Sequence, residues 1–149
     1  MLQYPPMKCQ KLIKFLSFLG VLVTGYLIYQ HYKLSADSFC NVNDFISCDI
    51  VNKSIYAEIF GIPVSILGFL SYAIIFLAAD FLSKKRVLTS LTLFAAFGLA
   101  FSFYLTGIEL FVLQAICIFC VIQQFLILFI FLKLFSLWHH ERKSFQQHS

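Results

Sequence analysis

Charge is what this chain has least of. Of its 149 residues only 12% are Asp, Glu, Lys or Arg, against about 25% in soluble domains. A water-facing surface cannot be assembled from so few, so a soluble globular fold is excluded and lipid must cover most of the molecule. Internal repeats, low-complexity segments and any long polar tract are also missing. At this length that leaves no room for a second folded module beside the apolar segments. A cleavable leader is not visible either. The first apolar run, 12–29, exceeds the roughly 7–15 residues of a signal core. The residues after it, Gln30-His31-Tyr32-Lys33, offer no small-residue cleavage site, so the run is expected to remain as a helix.

What is present is 60% hydrophobic and includes 19 phenylalanines. Four stretches approach the roughly 20 residues that cross a hydrocarbon core: 12–30, 62–82, 87–105 and 115–137. Each must be helical, because an isolated strand in lipid leaves its backbone amides and carbonyls unpaired. The expected fold is an all-α membrane protein, a bundle of four transmembrane helices forming one domain over 1–149. A loop over 33–61 joins the first helix to the second.

Basic residues set the orientation. With the N-terminus inside, Lys8, Lys11, Lys14, Lys84, Lys85, Arg86, Lys133, Arg142 and Lys143 are cytoplasmic, and Lys33 and Lys53 lie outside. Nine against two is a strong positive-inside bias. Both termini are therefore expected in the cytoplasm and loop 33–61 on the outer face. The net charge of +4 follows from the same flanking residues, so no nucleic-acid partner is expected. The loop mixes its polar residues with Phe39, Phe45, Ile46, Ile50, Tyr56 and Phe60. That is too apolar for a freely solvated strand of chain, and a short helix or two lying across the membrane face is expected. The tail after Trp138 reads as polar and mobile.

Five cysteines carry the chemistry. Cys9 precedes the first span, has no partner on its side, and reads as an incidental thiol. The other four map to the outer face, where disulfides form and persist. Cys40 and Cys48 lie in the loop, and Cys117-Ile118-Phe119-Cys120 opens the fourth helix. Spacing of i, i+3 puts two sulfurs on one helix face, one turn apart. The start of a helix, with unpaired amides and a positive dipole end, favours negative charge and suits thiolate chemistry.

A CxxC inside an apolar run can also be two buried small hydrophobes. The second pair on the same face favours a relay instead, with an exposed pair that exchanges with a soluble protein and a buried pair that exchanges with something dissolved in the membrane. Zinc is the weaker reading. Seven residues separate the loop pair, whereas structural zinc sites use two closely spaced pairs or added histidines. Only His31 lies on that face. A scaffold or transporter held by static disulfides is the rival from another class. The four-helix disulfide-generating enzymes that carry CxxC in their first outer loop have the reverse arrangement.

The combined pattern resembles the vitamin K epoxide reductase family. The matching residues are Cys40, then Cys48-Asp49-Ile50-Val51-Asn52-Lys53-Ser54, and Phe60-Gly61-Ile62-Pro63-Val64-Ser65 entering the second helix. Glu109-Leu110-Phe111-Val112-Leu113 and Ala115-Ile116-Cys117-Ile118-Phe119-Cys120 complete the set. The Gly-Ile-Pro-Val entry resembles bacterial and archaeal members, which implies a prokaryotic inner membrane. The resemblance implies a bundle around a quinone (ubiquinone, menaquinone or a relative), no metal, and a separate thioredoxin-fold partner outside the membrane. Cys117 and Cys120 would form the active-site pair, with Cys120 facing the quinone. Cys48 would exchange with Cys117, and Cys40 would form the mixed disulfide with the partner. Ser54, Gln124 and Phe119 would lie near the quinone. Gln124 stands where animal enzymes carry a tyrosine, so reduction of vitamin K epoxide is kept as the alternative main activity.

Overall fold

The computed structural model describes residues 7–34 and 39–147. Residues 35–38 of the expected loop lie outside that set. Helix α1 (Met7–Tyr32) is followed by the folded loop, which contains the short helix α2 (Cys48–Asn52) and a 3-10 turn at Ile55–Ala57. Strands β1 (Glu58–Ile59) and β2 (Ile62–Pro63) then pair antiparallel. Their two-residue turn puts Phe60 at φ 53° and Gly61 at φ 77°, the mirror-image turn that matches strand twist and that glycine adopts without steric cost. Helix α3 (Val64–Ala78) starts directly after Pro63 and ends in a 3-10 turn, Ala79–Phe81. Helix α4 (Lys85–Ile108) runs on through a π turn, Glu109–Leu113, and α5 covers Ile118–Gln147.

Four of these helices are long and apolar enough to cross a membrane, and the fold is the expected four-helix membrane bundle. Their apolar surface faces outward, as lipid requires: Leu93 is 67% exposed and Leu77 66%. Helices α1 and α4 extend beyond the expected spans at both ends, α3 falls within its span, and α5 starts later and runs well past its expected C-terminal end. The stretch after Trp138, expected to be loose, continues α5 to Gln147. Contacts one turn apart support it there, with His139 stacked on Phe135 and the Arg142 guanidinium over the Trp138 ring, as i, i+4 neighbours on a helix can be.

In lipid, helices associate by close backbone approach at small residues. The α1–α3 contact works this way. Tyr72 of α3 fills the space left by Gly20 of α1, Phe69 lies against Gly25, and Thr24 meets Gly68. At the basic end the buried core is Ile13, Ile75, Ile130 and Leu134, and Lys14 pairs with Asp80 at 2.6 Å on the surface. Helix α3 packs on α1 and α4 packs on α5, whereas α3 and α4 barely meet among the described residues. That side of the bundle is open, and a cavity occupies it.

Candidate redox site

At the other end of the bundle the loop is tied down by its own side chains. Asn41 Oδ1 accepts from the Ser47 hydroxyl at 2.9 Å, and Asn43 Oδ1 accepts from the Ile46 amide at 2.8 Å. Ser47 caps α2, its hydroxyl accepting from the Ile50 amide. Asn52, buried, donates to the Leu27 carbonyl of α1 at 2.8 Å. Its own carbonyl meets His31 Nδ1 at 2.7 Å, and the other ring nitrogen reaches Glu58. Asparagine and serine do this locally because their short side chains mimic backbone groups.

One contact explains how cysteines 69 residues apart come together. Ile46 and Ile116 form a parallel bridge, in which the Ile116 amide donates to the Phe45 carbonyl at 2.7 Å and the Ser47 amide to the Ile116 carbonyl at 3.1 Å. A helix starts two residues after each side of this bridge. Cys48 is the first residue of α2, and Cys117 precedes α5, its carbonyl accepting the Val121 amide. Cys40 and Cys48 are disulfide-bonded, while Cys117 and Cys120 are thiols. Cys117 Sγ lies 3.1 Å from Cys48 Sγ, and the three sulfurs of Cys40, Cys48 and Cys117 lie within 4.8 Å of one another. Cys117 is fully buried, and the loop pair, expected to be the exposed one, is covered as well, with Cys40 3% and Cys48 1% exposed, because the loop folds down onto the start of α5. The Cys117 thiol interacts with that of Cys120 one turn on, as a residue at the N-cap does with one at N3.

Cys120 opens onto the cavity between α3 and α4, which encloses about 610 Å³. Its wall is almost wholly apolar, including Phe94, Phe97, Phe101 and Ile127, with Ser54, Asn52 and Thr106 among its polar groups. Two further lining residues carry buried polar atoms without a partner, Ser65 Oγ and Gln123 Oε1. An apolar slot of this size with a few unpaired polar atoms suits a flat ring bearing oxygens.

A family model described as vitamin K epoxide reductase matches residues 11–135. The chain belongs to the vitamin K epoxide reductase family. It is therefore an oxidoreductase and an integral membrane protein of a family that uses quinones and redox partners. The quinone fits the residues present: the cavity opens where α3 and α4 part, and the sulfur-bearing Cys120 stands on its wall.

The residues expected near the quinone in this vitamin K epoxide reductase relative are distributed unevenly. Ser54 lines the cavity, its hydroxyl donating to the Val51 carbonyl at 2.8 Å. Phe119 is not among the lining residues and packs on the Tyr26 ring, centroids 4.9 Å apart. Gln124 also lies off the wall, its side-chain oxygen accepting from Thr106. The neighbouring Gln123 faces the cavity instead. Tyr56 and Tyr72 line it together with the phenylalanines, whereas Tyr104 is 63% exposed on the outside of the bundle.

Sequence alone gave no role to Glu109 or Ser65, which lie in the matching motif segments, or to Gln123. Glu109 is the one acidic residue between Val87 and Leu137, and a carboxyl in an apolar span is a functional signal in its own right. Ser65 and Gln123 gave no comparable signal. What sets them apart is a side-chain oxygen unpartnered among the described residues, Ser65 Oγ and Gln123 Oε1, which only packing reveals.

Proposed function

We propose that residues 1–149 form a single membrane domain that moves electrons from a reduced thioredoxin-fold protein to a membrane quinone, so generating disulfides for exported proteins. Cys40 takes the mixed disulfide with that protein. Cys48, released, attacks Cys117 of the Cys117–Cys120 disulfide and frees Cys120. The partner's second thiol resolves the mixed disulfide and releases Cys40, which then closes on Cys48 and expels Cys117, leaving both inner cysteines reduced. Thiol–disulfide exchange of this kind needs only an attacking thiolate and access to one sulfur of the bond. A quinone bound beside Cys120 supplies the acceptor for two electrons and two protons. Ser54, Ser65 and Gln123 are the polar groups on the wall that would orient it, and Gln124 and Phe119 support that wall from behind. The strong positive-inside bias supports an outward-facing site in a prokaryotic inner membrane, with both termini in the cytoplasm.

The observation that carries this reading is the 3.1 Å between Cys117 Sγ and Cys48 Sγ, within a row of sulfurs that ends at the cavity. Three clustered sulfurs also have metal-site spacing. Cys40 and Cys48 share a bond, however, and only thiolates serve as metal ligands. The deciding experiment replaces Cys117 or Cys120 with alanine and follows reduction of a short-chain ubiquinone by absorbance. Loss of turnover to background is expected from either change. Undiminished turnover would refute the relay.

A further inference from the structure

Glu109 lies 5% exposed in an apolar bundle, a position that needs a reason because a buried carboxylate is costly unless well partnered. Its backbone is firmly held. The π turn Glu109–Leu113 ends α4, Gln114 takes the left-handed conformation at φ 50°, and the amides of Gln114 and Ala115 both donate to the Glu109 carbonyl. The turn aims the side chain at the start of α5. There the carboxylate accepts the Cys117 amide at 3.2 Å and is also the hydrogen-bond partner of the Cys120 thiol. Glu109 lines the same cavity as Cys120.

The first contact is a helix cap. In a capping box a glutamate at N3 reaches back to the N-cap amide. In α5 the N3 position is Cys120, and Glu109 takes the capping role from another element. An uncharged acceptor would serve that purpose equally well. The second contact, to sulfur, is one a cap does not require.

We propose that Glu109 is the proton acceptor for Cys120 when the Cys117/Cys120 dithiol is oxidised, a role that rests on the relay proposed above. Cys117 enters the step as the thiolate expelled when Cys40 closes on Cys48; of the two protons given up by the partner's dithiol, one has gone to water and the other to Cys120. The S–H bond of Cys120 breaks and its proton passes to the Glu109 carboxylate. One S–S bond forms between Cys117 and Cys120, and the electron pair goes to the quinone. The proton on Glu109 then passes to one quinone oxygen and a proton from water to the other, which completes the hydroquinone and returns Glu109 to its ionised form. Two electrons and two protons are thus accounted for.

The test uses the full chain in detergent, with dithiothreitol as donor and a short-chain ubiquinone as acceptor. Glu109→Gln keeps an acceptor for the Cys117 amide but cannot take up a proton. Ubiquinone reduction should fall about 100-fold, at the lower end of what positioned proton transfer contributes. Alkylation of Cys120 by N-ethylmaleimide without quinone, read by fragmentation mass spectrometry, should become faster, because a negative charge beside the sulfur has been removed. A purely structural cap predicts no change in either rate, and that result overturns the proposal. If both rates fall, the site has been distorted and Glu109→Asp decides. Turnover clearly above that of Glu109→Gln upholds the proton role, and equal turnover overturns it. Wild-type turnover in Glu109→Gln removes this role alone, whereas turnover in Cys120→Ala would remove the relay itself.

Discussion

Cys117 stands 3.1 Å from Cys48, whose sulfur is already bonded to Cys40. Bond exchange between them therefore requires no rearrangement of the backbone. The bridge between Ile46 and Ile116 holds the two segments in register, two residues before Cys48 and one before Cys117, so the sulfurs are positioned by main-chain hydrogen bonds rather than by mobile side chains. The loop behaves as part of the site, not as a cover over it.

Removing Cys48 should interrupt the relay. In Cys48→Ala, the Cys40 thiolate can still bond to the partner by attacking that protein's oxidised, disulfide form, but nothing adjacent in the loop can displace it. A covalent adduct of the chain with its thioredoxin-fold partner should accumulate. Non-reducing electrophoresis checks this, with Cys40→Ala as the control that forms no adduct through the loop.

Close approach of α1 and α3 at Gly20 makes a second expectation specific. A Cβ at Gly20 would overlap the Tyr72 ring, whereas one at Gly107 meets nothing within 4 Å. Gly20→Ala should cost about 1–3 kcal/mol, the usual range for overpacking. It should also strain the bond from the Tyr72 hydroxyl to the Gln123 carbonyl, 3.0 Å in length. Thermal unfolding in detergent measures the difference, and Gly107→Ala should match the parent chain.

Asn52 couples the loop to the bundle through the Leu27 carbonyl and His31. Asn52→Ala leaves the Leu27 carbonyl without this donor, at a cost of about 1–3 kcal/mol. The loop should loosen before the helices do. Limited proteolysis should cut within 39–61 sooner than in the parent, and a maleimide reagent should reach Cys117, fully buried in the structure, at a higher rate.

Orientation can be checked by thiol labelling in intact cells. After mild reduction, a membrane-impermeant maleimide should modify Cys40 from outside. Cys9, which packs at the basic end of the bundle, should react only once the membrane is opened. Labelling of both thiols from the same side would contradict the positive-inside reading.

Much of the fold could be read without coordinates. Lipid tolerates only backbone that is hydrogen-bonded within its own segment, so four long apolar runs had to be four helices, and lysine and arginine marked their ends. The helical continuation to Gln147 was less evident. Its support comes from side-chain contacts such as Arg142 on Trp138, to which a polar composition gives no clue. The four cysteines of the proposed site were recognisable by type and spacing, as was the family.

Contacts distant in the chain were decided only by the tertiary structure. The glutamine on the cavity wall is Gln123 and not Gln124, because adjacent helical residues point about 100° apart and the packing of α5 sets which faces inward. Glu109 could be singled out as a lone carboxyl, but its two partners depend on a π turn meeting the start of α5. Hydropathy and spacing are properties of one dimension and record what the solvent demands of each segment. Which atoms end up within reach of one another depends on how those segments pack, and neither hydropathy nor spacing encodes that.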